Sequence, residues 1–317
     1  MIRYIVKRVV MVIPVLLIVI LIIFTLMDLA PGSIVDAMIT SEMTQDDVIV
    51  LREMYDLDKP MLYRYGKYLL GLLKGDLGDS MVSKLPVWDL YMSRWPMTLQ
   101  LSFLSLILGI AIAIPLGIFA AKHAGSIMDS AATAFSLIGL SMPGFWLGLL
   151  LLMVFAYRFR IFPAAYDGTW QSYVLPVVAC GFSMSANITR QTRSAILEVV
   201  RQDYLRTARA KGVPEWQITT RHELRNAWIP IIAQIGNVLG FTLAGSAVIE
   251  AVYSWPGVGT MIVEAIGRRD VTLACGAVVL TCIVYVFLYL LVDLMYALVD
   301  PRIKSQYQLR HKKRKGA

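Results

Sequence analysis

The sequence has few charged residues for its length: Asp, Glu, Lys and Arg make up 16% of 317 residues, whereas hydrophobic types make up 57%. Soluble domains carry about 25% charged residues, so the composition excludes soluble, disordered and collagen-like proteins. Only three cysteines occur, Cys180, Cys275 and Cys282, and all lie in apolar stretches. This placement excludes exposed disulfides and a closely spaced zinc site. We predict an integral membrane protein whose cysteines only pack.

The sequence also lacks the motifs of an enzyme or of a self-powered carrier. Ion-coupled carriers hold ionisable groups at membrane depth, but the long apolar stretches here contain none. No glycine-rich phosphate loop ending in Gly-Lys-Ser or Gly-Lys-Thr occurs. Nor is there a nucleophile with a base, a metal-protease motif or a carboxylate pair in these stretches. We predict no catalytic residue, metal or cofactor on this chain, so a partner must supply any energy.

Windows without charged residues mark the predicted membrane spans. Each is long enough for a helix that crosses about 30 Å of hydrocarbon. The six windows are 9–27, 97–121, 130–157, 168–189, 226–249 and 271–292. The predicted fold class is therefore an all-α integral membrane protein with six transmembrane helices.

The distribution of positive charge predicts the orientation. If the N-terminus is cytoplasmic, 19 of the 30 Lys and Arg residues lie on the cytoplasmic side, where basic residues collect. Both termini are then cytoplasmic, and the basic tail meets solvent or lipid headgroups rather than nucleic acid. The predicted parts are a first transmembrane helix (1–30), a small, largely helical external subdomain (31–95), a five-helix core (96–300) with a cytoplasmic loop (190–226), and a basic tail (301–317).

The cytoplasmic loop has the pattern of a helix, a sharp turn and a second helix. Gly212 suits the left-handed residue that ends the first helix, and Pro214 suits the first position of the second. Glu215 is favourable to the second helix's dipole. We predict that Trp216 and Ile218 both face the cytoplasm, which suits insertion into a groove on another protein. An amphipathic turn on the membrane surface is the alternative.

This loop resembles the signature loop of permease subunits in bacterial ABC importers, in the dipeptide, oligopeptide and nickel branch. The similarity lies in Arg-Thr-Ala-Arg-Ala-Lys-Gly at 206–212 and in His-x-Leu-Arg-Asn-Ala at 222–227. The general superfamily motif opens with Glu-Ala-Ala, whereas this chain has Arg206, Thr207 and Ala208. The similarity covers nearly the whole chain, with further motifs at 57–60, 75–78, 141–145, 255–259, 291–296 and 300–302.

The resemblance implies a multi-pass subunit of the bacterial inner membrane, surrounded by lipid. Two ABC ATPase subunits, which bind ATP and Mg, would assemble with this chain and with a homologous second permease as a heterodimer. An extracytoplasmic binding protein would deliver the substrate, and the helix around 212–217 would dock in a cleft on an ATPase. The residues implied in ATPase coupling are Ala208, Gly212, Val213, Pro214, Glu215, Trp216, Gln217, His222, Leu224, Arg225 and Asn226.

The resemblance implies short peptides as cargo, with two alternatives. The nearer one keeps the architecture and carries nickel or a nickel chelate. The farther one is a passive channel or a membrane scaffold without ATP coupling. That alternative predicts that deleting residues 212–217 leaves transport unchanged.

Two groups of residues are candidates for a translocation path or an external gate. One interrupts the third window with a proline, which frees a backbone carbonyl and either shapes the path or only kinks the packing. The other follows Glu250 at the predicted outer edge and forms a gate, a receptor contact or only an interfacial anchor. These candidates are Ser141, Pro143, Phe145, Trp255, Pro256, Gly257 and Gly259.

A stripe of small residues in the fifth window is a candidate helix interface. Gly236, Gly240 and Ala244 recur every four residues, so they present a flat face to which another helix can come close. This face is either the contact with the second permease or a packing surface within the chain.

Overall fold

A computed structural model describes residues 2–29, 35 and 44–299. The predicted basic tail (301–317) and part of the predicted external subdomain lie outside these residues. The helices are α1 (Ile2–Leu29), α2 (Gln45–Met54), α3 (Met61–Leu73), α4 (Val87–Lys122), α5 (Ile127–Ser141), α6 (Gly144–Leu151), α7 (Gln171–Val200), α8 (Asp203–Ala210), α9 (Glu215–Gln217), α10 (Leu224–Gly245), α11 (Ala247–Val252), α12 (Val258–Gly267) and α13 (Val271–Val299). Two π-helices, Leu152–Arg158 and Ile218–Glu223, continue α6 and α9.

The described residues form no strand, which agrees with the predicted all-α class. A pair of helices, α5 with α6 and its π-helical extension, also has the length and composition of a span but is bent by 98°. Residues 2–29, 35 and 44–299 therefore contain five candidate membrane helices, or six if the bent pair is one crossing. The five are Val10–Leu29, Val87–Lys122, Gln171–Val200, Glu215–Leu243 and Val271–Val292.

The bend in the third window follows from its proline. Met142 has an extended backbone (φ −84°, ψ 120°), because the ring of Pro143 disfavours the helical conformation in the residue before it. The carbonyl of Pro143 then accepts hydrogen bonds from the backbone N–H groups of Trp146 and Leu147, at 2.9 and 3.3 Å. Window 130–157 is therefore two helices rather than one straight span.

The chain divides into two compact units, of which the first comprises Met1–Thr98 and Pro256–Val286. In this unit Phe24 of α1 packs in one cluster with Cys275 of α13. The ring of Phe24 also meets the ring of Tyr65 from α3 edge to face, with 5.9 Å between centroids. Aromatic and aliphatic burial thus joins α1, α3 and α13.

The second unit comprises Leu99–Trp255 and Phe287–Ala317. Within it α7 contacts α5, α6, α10 and α11. Ile196 of α7 and Ile231 of α10 have no exposed surface and belong to one apolar cluster. This unit contains the predicted cytoplasmic loop (190–226).

Close packing between α4 and α7 depends on Gly117. A Cβ atom added there would lie 2.6 Å from the Cβ of Thr192 and 2.9 Å from the carbonyl oxygen of Thr189. We expect Gly117→Ala to lower the thermal midpoint of the purified protein, because the overpacking cost of about 1–3 kcal/mol exceeds the gain in helix propensity. Gly66→Ala in α3 is the control, since a Cβ there meets nothing within 4 Å. An equal rise in the thermal midpoint of both variants would contradict this close packing.

Candidate functional site

The predicted helix–turn–helix begins with a helix end that requires glycine. Gly212 has φ +76°, and its N–H donates to the carbonyl of Arg209 at 3.0 Å. The N–H of Val213 donates to the carbonyl of Ala208 at 3.2 Å. These two bonds form the Schellman motif that ends α8. A Cβ at Gly212 would meet nothing within 4 Å, so only the left-handed backbone requires glycine there. The prediction that Gly212 is left-handed and ends the first helix is confirmed, and its role in ATPase coupling stays a prediction.

The second helix begins one residue later than predicted. Pro214 has φ −66° and an extended ψ of 144°, so it precedes the helix instead of occupying its first position. Its carbonyl accepts hydrogen bonds from the N–H groups of Gln217 and Ile218, at 2.9 and 3.1 Å. Glu215 is then the first helical residue. We call residues 211–217 the exposed turn.

The apolar surface of the exposed turn is smaller than predicted. The side chain of Trp216 is 63% exposed, whereas Ile218 has no exposed surface. Successive helical residues are about 100° apart, so residues two apart point in nearly opposite directions. The prediction that Ile218 faces the cytoplasm is therefore wrong, and Trp216 is the large apolar side chain that the turn presents.

The predicted coupling residues all lie on or beside the exposed turn. Asn226 joins the two sides of the loop, because its Nδ2 donates to the hydroxyl of Tyr204 on α8 at 2.9 Å and to the carbonyl of His222 at 2.8 Å. Gly212, Pro214, Glu215, Trp216, Arg225 and Asn226 are exposed, whereas Ala208, Val213, Gln217, His222 and Leu224 are partly buried.

Four charged side chains join the exposed turn to the ends of α4 and α8. We call them the charge cluster: Lys122, Arg209, Glu215 and Glu223. Arg209 Nε donates to Glu215 Oε1 at 2.7 Å, and Arg209 Nη2 donates to Glu223 Oε1 at 3.4 Å. Lys122 Nζ lies 3.4 Å from Glu215 Oε2 and 3.2 Å from Glu223 Oε2. Each cation therefore contacts both carboxylates. The hydrogen bond from Arg209 to Glu215 raises the pKa of Arg209, which keeps the guanidinium charged.

Burial within the charge cluster is uneven. The side chain of Glu215 is 59% exposed, whereas that of Glu223 has no exposed surface. The contact from Lys122 to Glu223 has the distance of an ion pair but not the angle of a hydrogen bond. Sequence analysis did not single out Lys122, Arg209 or Glu223. A charged residue in a polar loop carries no signal of burial, and Lys122 lies 93 residues before Glu215.

The candidate path residues in the third window lie at the bend between α5 and α6. Ser141, Pro143 and Phe145 are all exposed in the isolated chain. The helix that follows is fixed at Gly148, whose carbonyl accepts a 2.7 Å hydrogen bond from the hydroxyl of Tyr253. The part that these three residues play in translocation stays a prediction.

Trp255 does not lie at a surface of the chain. It has no exposed area, and its ring meets those of Tyr166 and Tyr173 edge to face, with centroids 4.8 and 4.7 Å apart. The interpretation of this tryptophan as an interfacial anchor is therefore wrong, because its indole fills an aromatic cluster. Pro256, Gly257 and Gly259 belong to the first compact unit, at the start of its segment Pro256–Val286. The gate and receptor roles of these four residues stay predictions.

The small-residue stripe is at least partly a packing surface within the chain. A Cβ added at Gly236 would lie 2.5 Å from Val292 Cγ1 of α13, so α13 occupies this face at Gly236. Gly240 is also buried, and the side chain of Ala244 is outside the described part of the structure. At Gly236, packing within the chain is the alternative that the structure shows.

Two family models match the chain. The model described as binding-protein-dependent transport system inner membrane component matches residues 113–305, which include the exposed turn and the bend. Its N-terminal companion, binding-protein-dependent transport system membrane component, N-terminal, matches residues 1–102.

Curated relatives match over nearly their full length. The glutathione transport system permease protein GsiC of Salmonella paratyphi A is 35% identical over 96% of this chain and 99% of its own. The oligopeptide transport system permease protein AppB of Bacillus subtilis is 37% identical over 95% and 99%. The dipeptide transport system permease protein DppB of Escherichia coli is 35% identical over 96% and 100%.

Solved structures support the fold. A chain from the MetNI methionine ABC transporter in an inward-facing conformation superposes with a TM-score of 0.58 at 20% identity. The match covers 67% of this chain and 97% of that one. A chain from an amino acid ABC transporter gives a TM-score of 0.52 at 18% identity, over 66% and 94%. At these identities the likeness concerns the fold alone.

Proposed function

The chain belongs to the family of binding-protein-dependent transport system inner membrane components, and from this premise we propose that it is the permease subunit of an ATP-driven importer of short peptides. The relatives at about 35% identity are named for dipeptides, oligopeptides and glutathione, which are all short peptides. The chain is a multi-pass protein of the bacterial inner membrane. The nickel alternative would use the same architecture.

The proposed assembly contains this chain, a homologous second permease and two ABC ATPases that bind ATP and Mg²⁺. An extracytoplasmic binding protein delivers the peptide. In our proposal the bent pair α5–α6 is one crossing, so the chain crosses the membrane six times with both termini in the cytoplasm. This orientation places the exposed turn (residues 211–217) in the cytoplasm, where the ATPases are.

The exposed turn is the observation that carries the proposed mechanism. It presents Trp216 to a partner, its backbone is set by Gly212, and the charge cluster holds it to the end of α4. ATP-driven closure of the ATPase pair would move the docked turn and so favour the outward-open state. ATP has to stabilise that state relative to the inward-open one, because a ligand shifts a population only through differential affinity.

Mass spectrometry of the proteins that copurify with the tagged chain tests the assembly. From native membranes in mild detergent, we expect two P-loop ATPase copies, a second permease of similar length and an extracytoplasmic binding protein. The copurified binding protein is then tested with di- to pentapeptides and with nickel. Peptide binding would support the peptide importer, whereas nickel binding would favour the alternative. Recovery of the chain alone, where other membrane complexes stay intact, would instead favour a channel or scaffold.

A further inference from the structure

The position of Glu223 is unusual for a charged residue. Its carboxylate has no exposed surface, although it ends the polar π-helix between the exposed turn and α10. A buried carboxylate is costly unless cations and hydrogen bonds compensate it. Here the compensation comes from Arg209 on α8 and from Lys122 at the end of α4. Glu223 thus brings together charges from three separate segments.

The charge cluster connects the exposed turn to a candidate membrane helix. Lys122 is the last residue of α4, and Glu215 is the first helical residue of the turn. The direct contact between them, 3.4 Å long, is on the surface and weak, because the side chain of Glu215 is 59% exposed. The contact of Lys122 with Glu223 is shorter, at 3.2 Å, and water does not reach its carboxylate. The contact with Glu223 is therefore less screened by solvent than the contact with Glu215, although only the latter has the geometry of a hydrogen bond.

We propose that Glu223 is a positioning residue that passes the movement of the exposed turn to α4. This inference rests on the proposed function and adds a route by which ATPase closure reaches the membrane segments. Glu223 holds Lys122 and Arg209 at once, so a displacement of the turn pulls on α8 and on the end of α4 together. Without the carboxylate, the turn still docks, but its polar contact with α4 is reduced to the exposed Glu215, beside the apolar cluster that contains Ala121 of α4 and Ala227 of α10.

Glu223→Gln tests the proposal, because it keeps the shape and removes the charge. The complex is reconstituted in proteoliposomes with its ATPases and binding protein, and uptake from a mixture of di- to pentapeptides is read by mass spectrometry. We expect the ATPases to stay bound, while the number of ATP molecules hydrolysed per imported peptide rises about 5- to 150-fold, the range that corresponds to typical coupling free energies. A purely structural role would lower ATP hydrolysis and uptake in proportion.

Two variants serve as matched controls. Asp203→Asn removes an exposed carboxylate of α8, which lies 3.8 Å from Arg206 and outside the exposed turn, and should leave the ratio of ATP to peptide unchanged. Asp129→Asn breaks a different ion pair, in which Arg193 Nη2 donates to the buried Asp129 Oδ2 at 2.8 Å and which does not touch the exposed turn. It should lower stability and leave the ratio unchanged. A ratio that rises equally in Asp129→Asn would overturn the proposal.

A double variant separates the effect of an uncompensated charge from the effect of the lost contact between Lys122 and Glu223. Lys122→Met with Glu223→Gln leaves Arg209 paired with Glu215, so this variant should assemble even if Glu223→Gln alone does not, and its ratio of ATP to peptide should stay high. A wild-type ratio in either Glu223 variant would overturn the positioning role, and so would the failure of both to assemble. No ATP-driven uptake by the wild-type complex would refute the proposed function itself.

Discussion

Gly212→Pro is expected to reduce peptide uptake about a hundredfold or more, while the amount of protein in the membrane stays near normal. Proline fixes φ near −65°, whereas Gly212 has φ +76°. The substitution also removes the N–H that donates to the carbonyl of Arg209. Together these changes cost about 3 kcal/mol or more, so the Schellman turn has to rearrange and Trp216 leaves its position. Docking would have to restore the original turn at this cost, which corresponds to a complex about a hundredfold weaker.

Gly168→Pro is the matched control for this variant. Gly168 also has a left-handed backbone, at φ +84°, and a Cβ there meets nothing within 4 Å. It lies in the loop before α7, which our orientation places on the external side. The local strain is therefore similar, but the docking surface is untouched, and we expect uptake to stay within a few fold of wild type. Uptake is measured with the peptide mixture and protein level by immunoblot. Survival of uptake in Gly212→Pro would show that the coupling turn is assigned wrongly.

Features with a local cause could be predicted from the sequence. Charge-free windows located the candidate membrane helices, because lipid tolerates few charged side chains. The left-handed Gly212 followed from the position of a glycine at the end of a polar helix. The break at Pro143 follows from the same kind of local rule, although its 98° bend does not.

Features that depend on tertiary packing could not be predicted in this way. The sequence indicates that Trp255 is apolar but not that two tyrosines surround it. It indicates that Gly236 can accept a close neighbour but not that Val292 is that neighbour. Glu223 is the clearest case, since its burial depends on Lys122, a residue on a helix far away in the sequence.

Trp216→Ala is expected to weaken binding of the ATPases about thirtyfold to a thousandfold, because exposed tryptophans at the centre of interfaces contribute about 2–4 kcal/mol. The stability of the chain itself should change by less than about 0.5 kcal/mol, since the indole is 63% exposed. The measurements are the fraction of ATPase retained on dilution of the purified complex and the thermal midpoint of the chain. Trp170→Ala is the control, because Trp170 is 70% exposed before α7 and away from the turn.

The same pair of variants decides between docking and a membrane-surface role for the exposed turn. If Trp216 only rested among lipid headgroups, its removal would weaken association of the turn with lipid and leave the ATPases bound. In that case Trp216→Ala and Trp170→Ala would retain equal amounts of ATPase. In the docking interpretation, Trp216→Ala loses the ATPases first, and Trp216→Phe restores part of the binding because it restores part of the apolar area. The exposed turn then acts through one aromatic anchor, Trp216, whose position depends on the left-handed backbone of Gly212 and on the buried carboxylate of Glu223.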